Sequence, residues 1–383
     1  MKNIFKTLLF CIVVILAILF IRSETFVNIM IKDINVESIK VNDMQMENST
    51  FYYETLSDVQ KKYYRLIGSG IMNLDENITI EITKDKYYET YKSDIEVALT
   101  AFLSDHPEVF FVNDKYEISL QDFIAVKVLR LKLNYVSKEK NEIVQMEEKL
   151  EQVIEKITDE AKSYKTDYEK ELFIHDYIAT STSYYNYENY EDIPAIKHTA
   201  YSALVENSAV CDGITKAFQL VLSENDIESV FVTGSTEDVA HAWSKVKIDN
   251  DYYNVDLTSD KTLNATNKNL VVHSYFNVTD EEILKTHIID NNDKLPQCTE
   301  TKYDYYIYNN YDISHLDSFE YKLGKIIKSQ SKRELLEVRV TGISDVPNKL
   351  ITALYSLNFN NYKTNNVTKM EYNKINNNYI VVK

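Results

Sequence analysis

The sequence predicts an α+β protein. A helix beginning at Cys211 packs on an antiparallel sheet, small α/β domains flank it, and an apolar helix stands at the N-terminus. Three observations carry that reading. Segments with apolar residues at three- and four-residue steps alternate along the chain with segments of period two, which separates helices from half-buried strands. The period-two runs at 241–248 and 252–258 are joined by Asp249-Asn250-Asp251, a turn sequence, and so form a hairpin. The stretch from Leu8 to Ile21 carries no charge at all.

That N-terminal stretch opens the order of elements. Adding Ile4 and Phe5, with Lys6 snorkelling, brings residues 4–21 to the roughly 17–25 residues a membrane span needs. No small-x-small cleavage pattern follows, so 1–22 reads as a signal anchor, with a cleaved signal peptide as the alternative. Lys2 and Lys6 precede the span and favour a cytoplasmic N-terminus, which puts the bulk of the chain outside the cell, single-pass or else secreted. Residues 23–50 are polar and read as a tether. A small α+β domain is expected over 51–136, with helices at 55–71 and 87–104. Its strands are expected at 78–82, after the turn at His106-Pro107, and at 125–135. A long amphipathic helix is expected at 138–163 through Ile143, Met146, Leu150, Val153, Ile154 and Ile157, and a second at 167–180. Residues 183–192 read as a Tyr-rich polar loop. The chemistry-bearing domain spans 137–295. A C-terminal α/β domain, 296–383, follows: a Tyr-rich strand at 303–308, helices at 315–329 and 347–356, and strands at 335–341 and 379–382.

Composition narrows the function. The chain has 383 residues, enough for two or three domains. Its 44% hydrophobic content excludes a disordered chain. Scarce Gly (6) and Pro (4) argue against collagen-like or propeller architectures, and 30 Tyr with many Asn, Lys and Ile read as the codon bias of an AT-rich bacterial genome. A formal charge of −17, with no basic stripe, excludes nucleic acid as a partner. Of three cysteines, Cys11 sits in the apolar stretch, so Cys211 and Cys298 could form one disulfide at most. No Cys/His spacing suits zinc and no loop suits an EF-hand, so neither metal nor cofactor is expected; His175, His198, His273 and His287 read as structural.

The reactive constellation builds from three separate segments. In Cys211-Asp212-Gly213, the cysteine opens a helix whose apolar face is Ile214, Ala217, Phe218, Val221 and Leu222. The macrodipole and first-turn N–H groups there favour a thiolate and can receive an oxyanion, while Asp212 opposes the first effect. His241 lies on one strand of the hairpin and Asp256 near the end of the other. A carboxylate beside an imidazole fixes its tautomer and stabilises the imidazolium, and the imidazole activates the thiol. Each residue alone has a plainer reading: a capping cysteine, a strand-edge histidine, a solvated turn acid. Together they assemble a thiol acyl-transfer site.

Several linked segments carry a family likeness: Tyr201-Ser202-Ala203-Leu204, Ala209-Val210-Cys211-Asp212-Gly213, Thr233-Gly234, His241-Ala242-Trp243 and Tyr252-Tyr253-Asn254-Val255-Asp256-Leu257-Thr258. With His175-Asp176-Tyr177 before them and Tyr275-Phe276-Asn277-Val278-Thr279-Asp280 after them, residues 165–290 resemble the transglutaminase-like superfamily in its bacterial form. The resemblance implies a papain-like fold, with Cys211 as nucleophile, His241 as base and Asp256 as orienter. It implies a second oxyanion donor upstream of the cysteine, for which Tyr201 is the candidate, with a buried packing tyrosine as the alternative; Trp243, on the His241 face of its strand, is either a wall of the substrate pocket or core packing. The chain departs from the pattern at Ser259-Asp260, where many relatives carry an aromatic and an acid, and at Ser202, where many carry Gly. The expected activity is attack on protein or peptide amides, such as envelope proteins or wall peptides, through a Cys211 thioester. The alternatives are a cysteine peptidase on the same scaffold and a non-catalytic binding or scaffold module.

Overall fold

The computed structural model describes residues 50–83, 90–122, 126–237, 239–260, 271–290, 292–331, 333, 335–356, 369–373 and 378–382. The apolar segment 1–22 and the tether 23–49 lie outside them. Among the described residues, no helix is long and apolar enough to cross a membrane. The chain divides into two compact units, 1–143 and 144–383.

The first unit begins with α1 (Phe51–Thr55) and α2 (Asp58–Met72). Ser57 and Gln60 form a capping box at the start of α2, which satisfies two orphan backbone donors reciprocally. One face of α2, through Tyr63, Tyr64, Ile67 and Ile71, is buried. β1 (Asn77–Thr83), α3 (Tyr91–Asp105), β2 (Val112–Asp122) and β3 (Val126–Tyr135) complete the unit, with an antiparallel sheet in the order β1-β3-β2. The strand expected right after Pro107 in fact begins at Val112 and runs on to Asp122. Its polar residues suit an edge position, where one side faces water. The unit boundary falls inside α4 (Lys140–Ala161).

The second unit starts with α5 (Asp167–Ser181), capped by a Thr166–Glu169 box. The segment expected to be a loop holds β4 (Ser183–Tyr184), which pairs in parallel with β5 (Ser208–Ala209) after α6 (Ala200–Leu204). α7 (Cys211–Ser223) follows at once. Ile214, Ala217, Phe218, Val221 and Leu222 are all fully buried, each worth roughly 1.5–3 kcal/mol for the large side chains. Gly213 is required here: a Cβ would stand 2.6 Å from the Lys197 carbonyl oxygen. β6 (Ser229–Thr236), β7 (Val239–Ile248) and β8 (Asp251–Val255) form an antiparallel meander. Asp249 turns the β7–β8 hairpin at φ +56°, a left-handed conformation that Asp tolerates better than most residues. The return strand is shorter than expected: it stops at Val255, and Leu257–Asp260 is a helical turn, α8.

Beyond α9 (Asp280–Ile283), β9 (His287–Ile289) adds to the sheet, giving the order β8-β7-β6-β9. β9 lies so close that a Cβ on Gly234 would fall 1.9 Å from the Ile288 carbonyl oxygen. The Tyr-rich segment read as a strand is instead a helical turn, α10 (Tyr305–Tyr308). Asp304 caps it by accepting the Tyr306 and Ile307 N–H groups. The rest is β10 (Asp312–Ile313), α11 (Phe319–Ser329), β11 (Leu335–Val340), α12 (Val346–Ser356), β12 (Lys369–Asn373) and β13 (Asn378–Val382), with sheet order β10-β11-β13-β12. Leu323, Leu336, Val338 and Leu350 centre its apolar core.

Candidate active site

Three elements of the second unit bring the reactive side chains together. α7 presents Cys211 in its first turn. Val210, its N-cap residue, makes no side-chain cap, so the positive end of the helix is left to the residues around the thiol. Thr215 fastens α7 to β7, donating to the Ala242 carbonyl at 3.0 Å. That contact sets the helix start beside His241, where the Cys211 thiol lies close enough to the ring to act on its charge. On the far side of the ring, Nε2 lies 2.8 Å from Asp256 Oδ2. Asp256 sits in the corner between β8 and α8 and is fully buried, whereas Cys211 is only partly covered.

The electrostatics follow from this order. Burial works to lower the His241 pKa, but the Asp256 charge, the bond to it and the Cys211 sulfur outweigh burial and push it up to about 10. Burial works to raise Asp256, yet His241 and His287 hold its carboxyl well below the usual range. Asp256 is therefore a fixed anion that keeps the Nε2 proton of His241 in place and leaves Nδ1 for the thiol. Asp212 next to the cysteine is tied to His198 Nδ1 at 2.8 Å, and His198 with Lys216 holds its carboxyl low against burial.

Trp243 lies under the histidine: 1% exposed, its ring stacked 6.1 Å from His241 and its Nε1 donating to Asn254 Oδ1 at 3.2 Å. The ring packs against the imidazole from within the core. Tyr201 is buried in α6, its phenol in the field of Glu206, which together with burial raises its pKa. Tyr184 on β4 also lies within the field of the thiol: its phenol is raised by burial and then by the Cys211 charge. The parallel pairing of β4 with β5 brings it there, since Ala209 on β5 is two residues from Cys211.

His287 is the residue that sequence reading missed most clearly. Its Nε2 donates to Asp256 Oδ2 at 2.9 Å, and its Nδ1 faces Thr286 Oγ1 at 2.8 Å. The Thr286 hydroxyl also lies 3.3 Å from the Ile283 carbonyl, so its single proton goes to one of these two acceptors. Ser259 adds its N–H at 3.0 Å to Oδ1 and its hydroxyl to Oδ2. Asp256 is thus held by four donors, one of which is the working histidine. His287→Leu removes a donor to a charged group, so kcat/KM is expected to fall roughly tenfold. The basic limb of the pH profile should also move upward, because Asp256 then holds the imidazolium more tightly. Gln, which keeps an N–H donor, should restore part of the loss. A uniform fall at every pH, unrelieved by Gln, would mean that His287 only fills space.

Residues 152–257 match the model of the transglutaminase-like superfamily, and this segment is a transglutaminase-like core. No curated protein matches the sequence. Among solved structures, that of a TGase is 16% identical and covers 50% of this chain and 53% of its own, at a TM-score of 0.28. A cysteine-protease candidate from Cytophaga hutchinsonii is 15% identical over 38% of this chain and 62% of its own, at 0.23. A protease candidate from Parabacteroides distasonis is 11% identical over 46% and 39%, at 0.22. The chain spans about half the length of the first of these. The assignment of the core rests on the family match, not on these overlays.

Proposed function

We propose, from a core that is transglutaminase-like over residues 152–257, that the chain is a thiol enzyme acting on protein or peptide amides through a Cys211 thioester. The observation that supports this most is the continuous link from the Cys211 thiol through His241 to the buried Asp256. In this reading, the proton of the thiol rests on His241 Nδ1 and the sulfur attacks the amide carbonyl. The first turn of α7 and the Tyr184 hydroxyl face the oxyanion. The imidazolium then gives its proton to the leaving nitrogen, leaving a thioester. A second nucleophile, an amine or water, loses its proton to the same imidazole and releases the acyl group.

The apolar run from Leu8 to Ile21, with Lys2 and Lys6 before it, supports an anchored protein whose catalytic unit lies outside the cell, where envelope proteins or wall peptides are the available amides. Casein incubated with the full chain, with and without a fluorescent primary amine, tests the reaction. Amine incorporation that vanishes in Cys211→Ala supports transglutamination, and ammonia release without amine supports deamidation. Chain fragments support the peptidase. None of the three would leave a binding module. Because the leaving nitrogen needs the imidazolium, activity is expected to persist through neutral pH and to fall as pH rises through about 10, where His241 loses its proton.

A further inference from the structure

Behind the thiol site lies a second cluster that the proposed chemistry does not use. His175 from α5 and His273 both turn a ring nitrogen onto one oxygen of Asp176: His175 Nδ1 at 3.0 Å and His273 Nε2 at 2.9 Å from Oδ1. The three ligating atoms lie within 4.8 Å of one another. Both rings are fully buried, while the Asp176 side chain is 40% exposed, which gives the cluster one route to solvent. The opposite nitrogens are each backed by a buried carboxylate. His273 Nδ1 is 3.0 Å from Glu337 Oε1, and His175 Nε2 is 3.4 Å from Asp260 Oδ2, outside hydrogen-bond geometry.

We propose that His175, Asp176 and His273 bind a divalent transition-metal ion of the zinc class, with Asp260 and Glu337 orienting the two imidazoles from behind. Proton counting motivates it. A neutral imidazole has one N–H, yet His273 meets a carboxylate oxygen at hydrogen-bond distance from both nitrogens, and His175 has a second carboxylate 3.4 Å from its other nitrogen. A bound ion resolves it: each ring donates its single N–H to the carboxylate behind it and offers its lone pair to the metal, the arrangement typical of carboxylate–histidine–metal sites. Two imidazoles and a carboxylate suit zinc or a neighbouring late first-row ion rather than calcium or magnesium. His273 lies 97 residues beyond Asp176, a separation that no spacing motif detects. The ion would be structural, tying α5 to the His273 loop, with Asp260 in the same turn as Asp256.

The full chain, purified in mild detergent and stripped with EDTA, is expected to take up about one zinc per chain. Its melting midpoint should rise by roughly 5–10 °C at free zinc about 100-fold above Kd. Asp176→Asn should lose both effects, and the double variant Cys211→Ser, His287→Gln should keep them. Should Asp176→Asn fail to fold, the wild-type zinc titration and its imidazole 15N shifts decide alone. No uptake and no rise in midpoint, with both rings doubly protonated at neutral pH, would overturn the proposal. Uptake lost only in the double variant would place the ion at the thiol and overturn it equally.

Discussion

Asp256→Asn is expected to lower kcat/KM by about 10³–10⁴ while the chain stays folded. The amide keeps the shape of the carboxylate but not its charge. With the charge gone, burial lowers the His241 pKa unopposed from its partner's side. The geometry also turns against catalysis. An amide nitrogen placed toward His241 Nε2 forces that atom to accept, which moves the ring proton to Nδ1, the atom that must take the thiol proton. If the amide oxygen instead faces His241, it faces His287 as well, and the nitrogen takes the place of Oδ1, donor against donor with the Ser259 N–H. Steady-state kinetics across pH would show the fall with the basic limb displaced to lower pH. Activity within a few-fold of wild type would mean that Asp256 does not set the tautomer.

Asp280→Ala is expected to destabilise the second unit by about 3 kcal/mol, or roughly 10 °C in midpoint. Lys245 is the reason. It is wholly buried on β7, and its Nζ donates to the Pro296 carbonyl at 2.7 Å and pairs with Asp280 Oδ1 at 2.9 Å. Removing the aspartate strands a cation in the core and frees the Asn254 Nδ2 and Cys298 N–H groups that it also accepts. Lys245→Met removes the cation rather than stranding it, and should cost less. Burial works to raise the Asp280 pKa, but Asn254, the Cys298 N–H and Lys245 bring it below its ordinary value. Its contribution is therefore full above the unfolded value of about 4 and is lost as pH falls through the lower folded value. The gap between wild type and Asp280→Ala in chemical denaturation should close in acid. A gap independent of pH would contradict the assignment.

How much of this was legible depends on distance along the chain. His241 and Asp256 come from one hairpin, and the strand periodicity with its Asp-Asn turn brought them together before any coordinates. Cys211 was legible because a polar start and an apolar helical face mark α7. His287 was not: it lies 31 residues beyond Asp256, and only the pairing of β9 with β6 brings it back. Tyr184 stood in a segment too polar to suggest a strand, yet two parallel pairs suffice to place it. Tyr303–Tyr308 misled because aromatic density favours strands, whereas Asp304, paired with Arg339 at 2.7 Å, caps a helical turn. Trp243 shares the His241 strand face as the alternation implies, but a sequence cannot say whether that face meets solvent or α7.

The central claim is that His241, steadied by Asp256, activates the Cys211 thiol. The measurement closest to it is the rate of iodoacetamide modification of Cys211 at about pH 6, in wild type and in His241→Ala. Cys298 does not confuse the readout, since it is buried and its thiol pKa is pushed up chiefly by that burial. The wild-type protein is expected to react at least about tenfold faster. Equal rates in the two proteins would contradict an activated pair.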